Sequence, residues 1–168
     1  MRIKLTEEIK QQAWKYVNEN DLGKRHSANG NKAEQYVGIL GELAVKQIFK
    51  GNTNIDDGFD GGFDFEHKDL KIDVKTMGRQ VDPRPEFVNN FIAYQKDLKA
   101  EAFIFCSLNK RSSELFLVGW ITKDDLLEKA EKYKKGTERT RSDGTTFKLK
   151  APTYEIKNED LNSINSLL

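Results

Sequence analysis

The chain has 168 residues, of which 37% are hydrophobic and 33% charged, with a net charge of +1. That length supports a single domain with a real core over residues 1–168, and the balance of apolar and charged residues excludes both a disordered chain and a membrane-embedded one. Near-neutral charge also excludes nucleic-acid binding by bulk charge, so any such contact has to come from a local basic patch.

The longest apolar runs, Ala102–Cys106 and Leu115–Trp120, are too short to cross a bilayer. Charges recur from Arg2 to Lys10, where a secretory leader would be apolar. The expectation is a cytoplasmic protein with no membrane contact. Cys106 is the single cysteine and there are two histidines, which makes neither an internal disulfide nor a zinc ligand set. Within Ala102-Phe103-Ile104-Phe105-Cys106 the thiol reads as a buried core residue.

The spacing of Leu5, Ile9, Ala13 and Trp14 or Val17 predicts a helix over Leu5–Asn20, with Thr6 as its N-cap ahead of Glu7 and Glu8. The polar stretch from Gly23 to Asn31 contains Lys24 and Arg25; it fits a solvated loop or a strip that touches phosphate. A second helix is predicted over Ala33–Lys50, stopped by Gly51. Val37, Leu40, Gly41, Ala44, Val45 and Ile48 form its apolar stripe, with Glu42 on the shoulder. The small residues Gly38, Gly41 and Ala44 would allow close approach to a sheet. Asn54–Phe59 reads as a short strand, with Asp56, Asp57 and Asp60 around it.

The most informative stretch follows. Phe63–Glu66 and Leu70–Lys75 alternate apolar and charged residues around His67, Lys68 and Asp69, the pattern of a β-hairpin with one buried face. A two-residue Lys68-Asp69 turn pairs His67 with Leu70, Glu66 with Lys71, Phe65 with Ile72, and Asp64 with Asp73. The last pair sets like charges opposite one another, which is destabilising. Alternation places Lys75 on the face of Asp73, about 6.6 Å along the strand, with Phe63, Phe65, Ile72 and Val74 on the reverse. A hard cation such as Mg²⁺, which binds through one or two carboxylates and keeps waters, resolves the conflict. An ammonium beside it suits a site that orients water and offsets phosphoryl charge, the chemistry of metal-assisted phosphodiester hydrolysis.

Beyond Lys75, Met77–Asn90 with Pro83 and Pro85 reads as a loop whose Arg79 and Arg84 fit either phosphate contact or a solvated surface. A helical stretch is expected around Phe87–Lys99, with Gln95 in it. Ala102–Leu108 and Glu114–Ile121 read as strands, and Thr122 caps a helix that runs through Leu126, Leu127, Ala130 and Tyr133. Lys132–Gly144, with Lys134, Lys135, Arg139 and Arg141, is the most basic stretch and fits a charged linker or a nucleic-acid contact. Phe147–Ile156 reads as a last strand region, at a sheet edge because of Pro152, and Leu161–Leu168 as a short terminal helix.

Glu42 on a helix, Asp64 after Gly61-Gly62-Phe63, and Asp73-Val74-Lys75 on the next strand resemble the PD-(D/E)xK nuclease superfamily, the restriction-endonuclease-like fold. Phe63 stands where the motif's name has proline. The resemblance spans roughly residues 33–108. It implies an α/β fold, with a mixed central β-sheet flanked by helices around a restriction-endonuclease-like core. It implies Asp64, Asp73 and Glu42 as metal-site residues, Lys75 as the residue that positions or activates water, and Mg²⁺ as cofactor with Mn²⁺ substituting. Thr76 would hold local backbone or a water. The expected activity is DNA hydrolysis by an endonuclease of restriction, repair, phage or mobile-element type, with a homodimer as the way to cut two strands. The alternative is a non-catalytic nucleic-acid-binding or assembly module that retains the nuclease fold.

Overall fold

The structure, a computed structural model, describes residues 1–20, 31–51, 62–140 and 144–168. In chain order it contains β1 (Arg2–Lys4), α1 (Glu7–Glu19), α2 (Lys32–Lys50), β2 (Phe65–His67), β3 (Leu70–Arg79), β4 (Val88–Ile92), β5 (Ala102–Asn109) and β6 (Glu114–Thr122). There follow α3 (Lys123–Lys129), β7 (Glu131–Tyr133), β8 (Glu138–Thr140), β9 (Thr146–Lys148) and β10 (Thr153–Lys157). Single 3₁₀ turns cover Ala93–Asp97, Asn158–Asp160 and Ile164–Ser166.

Both long helices begin where the sequence supplies a cap. Thr6 Oγ1 accepts from the Ile9 N–H at 3.2 Å, and Asn31 and Glu34 form a reciprocal capping box. α2 ends on Gly51 at φ 68°, a left-handed conformation that glycine adopts without Cβ strain. The buried stripe of α1 (Ile9, Ala13, Val17) and that of α2 (Val37, Leu40, Leu43, Ala44) share one core with Ile72, Ile104, Cys106 and Leu117 of the sheet. That sheet has the order β1-β6-β5-β3-β2. It is mixed: β3 and β5 run parallel, and every other neighbour is antiparallel.

β5 is buried at every position, which accounts for its unbroken apolar run: both faces of the strand are covered. Helices α1 and α2 cover one face. The other carries a second core of Phe91, Phe103, Phe105, Ile121, Leu126 and Ile156, supplied by α3 and by a three-stranded sheet of order β4-β10-β7. The α/β class with a mixed sheet therefore stands, with a different flanking arrangement: two helices on one side, and mainly a second sheet on the other. Among the described residues no helix is long and apolar enough to cross a membrane.

Several boundaries differ from the sequence expectation, and tertiary pairing is the common cause. β3 continues through Met77 to Arg79 because β5 pairs with it to Asn109, so those residues are strand, not loop. Val88–Ile92 pairs with β10 and is followed by one 3₁₀ turn, where a helix over Phe87–Lys99 was expected. α3 stops at Lys129, and Tyr133 lies in β7. The basic stretch after it is no linker: β8 pairs with β9 as an antiparallel ribbon. Pro152 marks no edge, since β10 lies between β4 and β7. The proline sits just before the strand, and its carbonyl accepts from Ala93 at 2.9 Å, so its missing N–H falls outside the ladder. The terminal helix is a single 3₁₀ turn that buries Ile164 and Leu167.

Candidate active site

The hairpin has the register read from the sequence: His67 opposite Leu70, Glu66 opposite Lys71, Phe65 opposite Ile72. Lys68 and Asp69 both have positive φ, 48° and 61°, as a type I′ turn requires. His67 Nε2 lies 3.0 Å from the Leu167 carbonyl oxygen and its ring packs edge-on to Phe49, so it fastens the hairpin to the C-terminal segment.

The ladder ends one pair earlier than alternation predicts. Asp64 donates its N–H to the Ile72 carbonyl at 2.7 Å, but its Oδ2 accepts the Val74 N–H at 2.7 Å. The side chain thus takes a β3 donor that a continuing β2 would have used, and the two strands part there. This corrects two expectations. Asp64 and Asp73 are not a ladder pair, and Phe63 does not share the face of Phe65: it packs against the second core, with Lys71 Nζ 5.7 Å from its ring centroid.

Beyond the fork the two faces of β3 differ. Ile72 and Val74 are buried under α1 and α2. Thr76 touches α2 at Gly41, where an added Cβ would lie 1.8 Å from Thr76 Oγ1, so only glycine fits this approach. Gly38 makes no such contact: nothing lies within 4 Å of a Cβ built there. On the reverse face Asp73 and Lys75 form an ion pair, with side chains 13% and 22% exposed.

Glu42 follows Gly41 on α2, and its charge reaches Asp64. Its Oε1 accepts from Lys46 Nζ at 2.9 Å, and that lysine side chain is only 4% exposed. Burial holds the Asp64 carboxyl well above the usual carboxylate range, helped by the charges of Asp73 and Glu42 and opposed by Lys75 and the Val74 N–H. Oδ2 of Asp64 is engaged by the Val74 N–H and Oδ2 of Asp73 by Lys75. Glu42, Asp64, Asp73 and Lys75 are therefore one electrostatic group. Even so, among the described residues no three His, Cys, Asp or Glu side chains are gathered as a ready ligand set. Two neighbouring aspartates do fit Mg²⁺, which takes one or two carboxylates and completes its shell with water.

The basic residues separate into anchored and open ones. Arg79 donates from Nη2 to the Val88 carbonyl at 2.6 Å and stacks 4.7 Å over Phe87. Burial lowers its pKa, and the guanidinium ties β3 to β4. Arg84 is exposed, 5.8 Å over the same ring. Arg139 is bidentate to the buried Glu155, at 3.2 and 2.6 Å, and lies 4.1 Å over Tyr133. It anchors the β8–β9 ribbon on the second sheet. Lys134 and Lys135 are exposed between β7 and β8.

Lys24, Arg25 and Arg141, together with Asp56, Asp57, Asp60 and the strand expected at Asn54–Phe59, lie outside the described residues. Gln95 falls in the 3₁₀ turn. Cys106 is fully buried and burial pushes its thiol up to about 12, so it is a core residue. Sequence reasoning missed Lys46, although its i,i+4 spacing from Glu42 was a signal. It also missed Glu155, whose partner Arg139 is set by tertiary contact alone.

Comparison of the chain with protein-family models, with curated proteins and with solved structures finds no match in any of the three.

Proposed function

We propose that this protein is a metal-dependent nuclease that hydrolyses DNA phosphodiester bonds, on a core of restriction-endonuclease-like type. One observation carries the reading. Where β2 and β3 part, burial and then the nearby charge of Asp73 hold the Asp64 carboxyl well above the usual carboxylate range, and Lys75 is ion-paired to Asp73 beside it. Such a like-charge cluster costs stability unless a cation or a catalytic task uses it.

Asp64 and Asp73 would hold Mg²⁺ or Mn²⁺, with Glu42 completing or supporting the site. The bound ion would supply Lewis-acid polarisation of the phosphoryl group and a more acidic water. Asp64 is fixed by the Val74 N–H, so its carboxyl group would be presented without rotamer search. Lys75, held by Asp73, would orient a water and offset charge that grows on the phosphoryl oxygens. The exposed Lys134, Lys135 and Arg84 are available to the nucleic-acid backbone, and a homodimer would present two such sites to opposite strands.

A second reading is a non-catalytic nucleic-acid-binding module. The observation that favours it is the engagement of Glu42 by Lys46, with no three-acid set among the described residues. Cleavage decides between them. Supercoiled plasmid and single-stranded circles are incubated with Mg²⁺ or Mn²⁺, beside EDTA, Asp73→Ala and Lys75→Ala. The nuclease reading expects cutting by the wild type alone, and only with metal. Binding without cutting on both substrates and in both metals favours the module.

A further inference from the structure

The Glu42–Lys46 pair is unusual for its burial. Lys46 is 3% exposed, and lysine is almost never buried this far unless paired. Its ammonium lies 2.9 Å from Glu42 Oε1 one helical turn away. Gly41 already touches Thr76 of β3 with no room for a methyl group, so α2 cannot bring Glu42 closer to the sheet by sliding inward. Rotation of the Glu42 side chain is the short route to a new contact. Its charge is already felt at Asp64, so the carboxylate stands between two positive claims: the fixed ammonium of Lys46, and whatever cation Asp64 and Asp73 hold.

We infer that Lys46 is a positioning residue acting through Glu42: it holds that carboxylate on α2 in the cation-free protein and yields it when a divalent ion joins Asp64 and Asp73. The inference rests on the metal-site reading given above and adds a regulator of that site's affinity. Without a cation, Lys46 neutralises one of three neighbouring carboxylates. With a cation, the ammonium competes for the same oxygen, so the affinity of the site is lower than its acids alone would give. The coupling is local electrostatics between two neighbouring binding events, and coupling of this kind typically changes affinity about 5- to 150-fold.

Mn²⁺ affinity, read by the loss of the free-ion electron paramagnetic resonance signal, tests this without turnover. Wild type, Lys46→Met, Lys46→Gln, Lys46→Arg, Glu42→Gln and the Glu42→Gln/Lys46→Met double variant are compared. Lys46→Met is expected to bind Mn²⁺ about tenfold more tightly and Lys46→Arg like wild type. The gain should vanish in the Glu42→Gln background, since the effect passes through that carboxylate. Lys46→Gln keeps a polar group in place and reports the same gain if Lys46→Met does not fold; the double variant leaves no buried charge at either position. Unchanged or weaker binding in both neutral variants overturns the inference and leaves the metal site intact, as does a gain that persists without Glu42. A wild type that binds no Mn²⁺ removes the metal-site reading and this inference together.

Discussion

On the α2 side of β3, Ile72 is fully buried and Val74 nearly so, under two capped helices. On the other side of the same strand, Asp73 and Lys75 form a largely buried ion pair beside Asp64. The two faces belong to one chain segment with one backbone conformation, so the difference lies in what each side chain is asked to do. The first face is settled by burial and close packing. The second keeps like charges together at a cost to the fold, a cost that the proposed cation site would offset.

Substitutions on each face should therefore fail in different ways. The largest effect is expected from Lys75→Ala on the polar face: DNA cleavage should fall on the order of 10³-fold, about 4 kcal/mol in the barrier, with circular dichroism and melting little changed. Ile72→Ala on the packed face should do the reverse. It should lower unfolding free energy by about 3 kcal/mol in urea titration while leaving the cleavage rate of the folded fraction close to wild type. Gly41→Ala drives a methyl group into Thr76 and should cost about 2 kcal/mol on the same assay, a loss restored in part by Thr76→Ala, which removes the hydroxyl that the methyl group meets first.

Asp64→Asn sharpens the comparison because its expected sign is positive. The folded-state pKa of Asp64 is raised, so the folded protein holds that proton more tightly than the unfolded chain. The penalty develops as pH rises from the unfolded carboxyl range through the raised folded value, and is complete above it. Asparagine keeps an acceptor for the Val74 N–H and loses the charge. The metal-free variant is expected to be more stable than wild type by about 1 kcal/mol at pH 8, with the difference shrinking on acidification. A fall in stability at pH 8 would place Asp64 among the structural residues.

The packed face was largely legible in the sequence, and the polar face was legible in its residues more than in its geometry. Thr6 and Gly51 mark helix ends by local chemistry, and the Lys68-Asp69 turn fixes the hairpin register, so both could be read without tertiary information. Alternation failed at Asp64, where a side chain replaced the backbone in the ladder and turned Phe63 to the second core. β4 and β7 escaped because their pairing joins residues far apart in the chain, and the basic run after β7 reads as a linker; β10 was read as a strand, but Pro152 before it set it at an edge. Arg139 looked like a phosphate contact for the same reason. Its partner Glu155 is brought to it by the fold.

The central claim is that the acids at the fork are kept for a divalent cation. Its most direct test is the melting temperature of the metal-free protein titrated with Ca²⁺, an oxygen-seeking ion, beside Asp73→Asn. The wild type should melt higher with a saturable dependence on Ca²⁺, gaining about 2.7 kcal/mol when the ion reaches a hundred times its dissociation constant, and Asp73→Asn should lose that gain. Equal melting temperatures with and without Ca²⁺, or an equal gain in Asp73→Asn, would contradict the account.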